Sequence, residues 1–141
     1  MNTKTLFNLL RSDGCIVVNK TLAKNIGINA AIMYSELLSK YYYFSDNNML
    51  TETGMFFNTI EDIEKDTTLT GYQQRKAIYK LFKLDLIEVQ VTGMPARRYF
   101  KIMQNMKNVE TLLNPSYKET SRQVVKKLDG NNTKNNTKGN I

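Results

Sequence analysis

Apolar residues recur at helical spacing in three stretches of the 141-residue chain. In 30–44, Ile32, Met33, Leu37 and Tyr41 lie close to one stripe, and Asn29 stands where a helix cap is expected. In 70–84, Gln74, Ala77, Ile78 and Leu81 share a face, with Tyr72, Lys76, Tyr79 and Lys83 opposite and Gln73 and Lys80 on a flank. In 105–113, Met106, Val109, Leu112 and Leu113 fall at i, i+3, i+6 and i+7, an amphipathic helix that closes on the domain or on a partner. Asn114-Pro115 ends it, because the residue before proline is pushed out of helical φ/ψ.

Shorter signals fill the gaps. Asn58 and Thr59 are capping residues ahead of Ile60 and Ile63, which predicts a helix over about 59–66. Leu69 is an apolar plug in the following turn, and Thr70 is a second N-cap. Residues 86–91 and 97–103 read as strands around the turn Thr92-Gly93-Met94-Pro95. Residues 55–57 read as a short third strand. Nearer the N-terminus, Thr5–Leu10 suits either a first helical turn or a strand edge, and 15–18 is a β-prone run. Asn19 caps a short helix, KTLAKNI, and Gly27 is placed to end it in a left-handed conformation. The polar segment 45–53 is a loop.

Helix, tight turn, helix and hairpin in this order make a winged helix. The expected fold is α+β, mainly helical: a winged helix-turn-helix with a small three-stranded antiparallel sheet. It spans residues 1–114, with a possible extra helix over 115–128. Residues 129–141, DGNNTKNNTKGNI, read as a disordered basic Asn/Thr/Lys tail or linker.

The residues of this core resemble a known group. TLTGYQQRKAIYKLFKLDLIEV looks like the winged-helix pattern L-S-x-x-x-x-x-x-A-L-x-x-L-x-x-x-G-L-I. GMPARRYFKI resembles the wing of the N-terminal domains of replication initiators and replisome organisers of phages, plasmids and integrative elements, of the DnaD-like type. The resemblance covers roughly residues 15–113. Asp85 stands where the pattern has Gly, so it must take the left-handed exit from the helix, which Asp tolerates better than most residues. Gln74 stands where the pattern has an apolar residue, which suggests loose packing. The resemblance implies a role in replication initiation. A second helicase-recruiting domain usually follows such a linker, and helicase loading is not carried over to this chain.

Composition narrows the chemistry. There is no histidine and one cysteine, Cys15. That removes the usual zinc sites, the Ser-His-Asp triads and the Cys-His pairs, and no spacing among the 13 Asp and Glu residues suggests a catalytic pair. No enzyme activity, metal or cofactor is expected. No run of 18 apolar residues predicts a spanning helix, and 2–14 lacks the character of a secretory signal. With a single cysteine, the expectation is a bacterial cytoplasmic protein away from membranes.

The net charge of +7 is unevenly placed. Residues 1–96 carry ten Lys/Arg and ten Asp/Glu, whereas 97–141 carry ten Lys/Arg against Glu110, Glu119 and Asp129. The whole excess begins at the wing's return strand, which points to a polyanionic partner, double-stranded DNA. The candidate contacts are Thr70, Gly71, Tyr72, Gln73, Lys76, Lys80, Arg97, Arg98 and Lys101. Thr70 and the helix amides suit a phosphate, Gly71 permits close backbone approach, and Tyr72, Gln73 and Lys76 suit base edges. Adjacent Arg97 and Arg98 must face opposite sides of a strand, so one of them is expected to reach DNA. A solvated lysine face is the blander account of Lys76, Lys80 and Lys83.

Other roles stay open at this point. The domain suits a replication protein, a transcriptional regulator of a mobile element, or a protein-interaction module using Tyr72, Tyr79 and Phe82. A homodimer through Tyr41, Tyr42 and Tyr43 with Met106, Val109, Leu112 and Leu113 is a further expectation; the three tyrosines are read as core and interface in preference to a stacking platform for single-stranded DNA.

Overall fold

A computed structural model describes residues 2–12 and 14–117. They form α1 (Thr3–Ser12), α2 (Lys20–Ile26), α3 (Ile28–Asp46), β1 (Phe56–Phe57), α4 (Ile60–Thr67), α5 (Gly71–Lys83), β2 (Ile87–Thr92), β3 (Arg97–Ile102) and α6 (Met106–Leu112). The fold is the expected winged helix, α+β and mainly helical. β3 is the centre of an antiparallel three-stranded sheet, with β1 on one side and β2 on the other. The pairs run Phe56↔Phe100 and Phe57↔Tyr99 on the first edge, and Ile87↔Ile102 through Thr92↔Arg97 on the second.

Register decides what each strand residue does. Phe100 and Ile102 point to the core, while Arg97, Tyr99 and Lys101 alternate onto the outer face. The core joins Leu22 and Ile26 of α2, Met33 and Leu37 of α3, Ile63 of α4, Ile78 and Leu81 of α5, and the inner sheet residues Phe56, Ile87 and Phe100. Truncating one such side chain to alanine costs about 2–5 kcal/mol.

The caps at 59 and 70 form as expected. Thr59 accepts from the Asp62 amide at 3.0 Å. Thr70 and Gln73 make a reciprocal capping box: the Gln73 amide donates to Thr70 Oγ1 at 3.2 Å, and the Thr70 amide donates to Gln73 Oε1 at 2.9 Å. Asp85 takes a left-handed φ of 62°, the conformation demanded of it in place of glycine.

Several expectations change. Asn29 lies inside α3, which begins at Ile28, two residues before the expected start, with Gly27 as its N-cap. Gly27 ends α2 with φ 98° and ψ 151°, a conformation open to glycine but not left-handed helical. One residue therefore turns the chain from α2 into α3. Residues 15–18 form no strand. Thr5–Leu10 is helical and lies within α1. The wing turn is 93–96, one residue later than expected. Gln74, expected to pack loosely, is fully buried.

α6 closes on its own chain. Leu112 is buried in the core, and Asn25 Nδ2 donates to the Leu112 and Asn114 carbonyls at 2.8 and 3.0 Å. Asn108 donates to the Leu84 carbonyl at the end of α5. Tyr41 also turns inward, its ring 6.4 Å from that of Phe56, while Tyr42 and Tyr43 are exposed. Of the expected dimer surface, Tyr42, Tyr43, Met106 and Leu113 remain exposed. The expected helix over 115–128 falls, beyond Tyr117, outside the described residues, as does the Asn/Thr/Lys tail.

Candidate nucleic-acid interface

α5 buries Gln74, Ala77, Ile78 and Leu81 and turns the opposite face to solvent. That face carries Tyr72, Arg75, Lys76 and Tyr79, with Lys80 and Lys83 on its margins. No carboxylate lies between Asp66 and Asp85 in the sequence, so α5 itself contributes only cations to the ridge. Lys76 stands over the Tyr72 ring, 5.4 Å from its centroid, and Lys83 over Tyr79 at 4.6 Å. These contacts hold the ammonium groups along the helix surface without neutralising them.

A cleft runs along each side of the ridge. One, of about 490 Å³, lies between Ile26–Ala30 and α5 and is lined by Tyr72, Gln73, Lys76 and Lys80. The other, of about 370 Å³, separates α5 from the wing and is lined by Ile60, Ile78, Phe82, Val89 and Val91, with Arg75 and Arg98. The structure thus gathers Tyr72, Gln73, Lys76 and Lys80 into one surface. Thr70 and Gly71 sit at its N-terminal end. Arg97 and Lys101 lie on the outer face of the wing, away from α5.

Gln73 and Arg98 are both engaged within the chain. Gln73 Oε1 is part of the capping box, which leaves its amide nitrogen as the outward group. Arg98 is turned to the inner face of β3, where Nη2 donates to Gln74 Oε1 at 3.0 Å and the guanidinium stacks 5.0 Å from the centroid of Phe100. Gln74 Nε2 donates in turn to the carbonyls of Ile60 and Leu69, at 3.0 and 2.9 Å. One buried amide therefore ties the start of α4, the helix-turn-helix turn, α5 and the wing together. Burial pushes the Arg98 guanidinium down to about 10, against the opposing pull of Glu61, and its Nε is buried without a hydrogen-bond partner. Arg97 is exposed and lies over the Phe57 ring at 5.1 Å.

Arg75 is absent from the sequence-based candidates. Its place on the helix put it within reach of that set, since it lies next to Tyr79, on the side away from Lys76, when α5 is viewed down its axis. The wing cleft that makes it prominent is a tertiary feature.

Among the described residues there is no group of His, Cys, Asp and Glu able to hold a metal, and no helix is long and apolar enough to cross a membrane. The fold and the ridge define a winged helix-turn-helix domain with one cationic edge. No protein-family model matches the chain, and no curated protein sequence matches it. Its fold is similar to a solved structure described as the N-terminal domain of a DNA binding protein. The TM-score is 0.53 at 14% identity, over 81% of this chain and 94% of that one.

Proposed function

We propose that this domain binds double-stranded DNA, with α5 in the major groove and the wing against the adjacent backbone. The observation that carries the reading is the outward face of α5, where Arg75 and Lys76 are exposed, Lys80 and Lys83 lie on the margins, and the helix itself contributes no carboxylate. A structural neighbour that is part of a DNA binding protein supports it. α5 has 13 residues, about 20 Å at 1.5 Å per residue, and a major groove about 12 Å wide admits it. Thr70 uses its hydroxyl hydrogen toward a phosphate, because its oxygen already accepts from Gln73. Tyr72, Arg75 and Lys76 reach base edges, and the Gln73 amide nitrogen supplies one donor. Gly71 lets the backbone approach. Lys80, Arg97 and Lys101 meet phosphates, and Arg98 positions the wing through Gln74.

The resemblance of GMPARRYFKI to the wing of replication initiators supports a role for this binding in replication of a phage, plasmid or mobile element, in a bacterial cytoplasm. A regulator of such an element is the runner-up. A protein-contact role has Tyr72 and Tyr79 in its favour, both exposed on the same ridge.

The test is fluorescence anisotropy of duplex DNA over a salt series, for the wild type and Arg75→Ala/Lys76→Ala. Binding that weakens linearly in log–log salt is expected, with a slope shallower by about 0.9 for each phosphate contact the variant loses. Absence of salt-sensitive binding at low salt overturns the reading and turns attention to Tyr72 and Tyr79 as a protein-binding surface.

A further inference from the structure

Past the Val89↔Phe100 pair the wing hairpin leaves the core. Val91 is 63% exposed and Met94 97%. Pro95 and Ala96 are exposed as well. Residues 90–96, QVTGMPA, carry no charge, and no acidic residue occurs between Glu88 and Glu110. The stem below the tip carries Arg97 and Lys101 on its outer face. The wing is thus an apolar point on a stem that carries Arg97 next to the turn and the Glu88–Lys101 pair at its base, and the Arg98–Gln74 hydrogen bond holds that stem against α5.

Single exposed apolar residues are ordinary on protein surfaces. Met94 differs in its place: it crowns a projecting turn and is surrounded by uncharged neighbours. A minor groove about 6 Å wide and 7.5 Å deep is too narrow for a whole two-stranded ribbon, whose backbones alone stand about 4.8 Å apart. One unbranched side chain projecting from the turn enters it, and methionine has the flexibility to seat there.

We propose that Met94 is a wedge that enters the minor groove, parts a base step and kinks the duplex. The proposal rests on the DNA reading and adds bending to it. Apolar side chains inserted between base steps bend DNA by about 20–90° toward the major groove, at the cost of unstacking the step. Arg97, in the pair next to the turn, flanks the insertion and offsets that cost at a phosphate. Pyrimidine–purine steps unstack most readily, so TA-rich DNA is the preferred substrate for the kink and a stiff A-tract the poorest.

The experiment uses the full chain with two short duplexes, one of repeated TA steps and one A-tract. Each carries 2-aminopurine in place of one adenine and a donor–acceptor dye pair at its ends. The wild type is expected to raise both 2-aminopurine emission and energy transfer on the TA duplex, with a smaller change on the A-tract. Met94→Ala is expected to lose both rises while keeping salt-sensitive binding, and Met94→Leu to retain them. Bound but straight DNA with the wild type overturns the wedge and leaves the DNA reading standing. Bending that survives in Met94→Ala overturns the wedge in the same way. Absence of salt-sensitive binding by the wild type overturns both.

Discussion

α4 and α5 are neighbours built on one plan and charged in opposite ways. Each begins at a threonine N-cap, Thr59 and Thr70, and each buries an apolar stripe in the shared core. α4 exposes Glu61, Asp62, Glu64 and Asp66 around Lys65, whereas α5 exposes Arg75 and Lys76, keeps Lys80 and Lys83 half-buried and carries no carboxylate. Shape alone would let either helix approach a polyanion, so charge makes the choice. The early carboxylates of α4 favour its own helix dipole; in the proposed complex they would repel phosphate and turn the domain so that α5 leads. Oriented docking, more than affinity, is what an acidic partner helix contributes.

The comparison breaks most visibly if the charge of α5 is reversed. Arg75→Glu/Lys76→Glu makes the two helices alike, and DNA affinity is expected to fall by about a hundredfold, roughly 3 kcal/mol, in an anisotropy titration. Circular dichroism should show the fold intact, since both positions are exposed.

Next in size is the amide that joins the two helices. Gln74→Leu leaves the Ile60 and Leu69 carbonyls and the Arg98 guanidinium without their partner, and a loss of about 2–3 kcal/mol is expected in urea unfolding. Adding Arg98→Met removes the stranded cation and should recover part of that loss, a coupling of about 1 kcal/mol. A double variant no better than the single one would show that Arg98 does not depend on Gln74.

The caps sharpen the comparison. Thr59→Ala and Thr70→Ala are each expected to cost about 1 kcal/mol of stability. DNA affinity should fall only for Thr70→Ala, because only its hydroxyl stands at the cationic ridge. Equal loss of affinity in both variants would mean that the effect comes from folding alone.

The smallest effect concerns the anchor of α4. Lys40 donates to Asp66 at 2.8 Å and lies 3.5 Å from Glu36. The Lys40 hydrogen bond holds the Asp66 carboxyl below its ordinary 3.8, so its contribution is full above 3.8 and is lost as pH falls through the lowered value. Burial pushes Glu36 above its ordinary 4.5, so its protonated form favours folding below 4.5 and that gain is lost as pH rises through the raised value. The two oppose each other. Asp66→Asn removes the acid-side loss and is expected to change stability by less than about 1 kcal/mol, because Asp66 is well exposed. The check is the midpoint of urea unfolding at neutral pH against acid pH.

Much of the fold was legible because its signals are local. Thr59, Thr70 and Asp85 each declare a chain direction within four residues, and the Gly93 turn declares the wing. Gln74 misled, since a polar residue at an apolar position reads as a packing defect until Arg98, 24 residues away, is brought beside it. The same distance hid the inward turn of Arg98 and the prominence of Arg75. Gly27 and Asn29 differ for another reason. Either can precede a helix, and the bend from α2 into α3 settles which one does. α1 lacked a clear signal because its pattern is amphipathic but its apolar face meets little of the domain: Leu6, Phe7 and Leu10 are exposed.

The clasp of Asn25 on the last carbonyls of α6 acts at longer range than a hydrogen bond suggests. It fixes the point from which the chain beyond Asn114 departs, next to the end of α2 and hence near the cleft that Lys76 and Lys80 share. The six cations from Lys118 to Lys138 follow it in the sequence. Loosening Asn25 would move the mooring and leave every ridge residue in place.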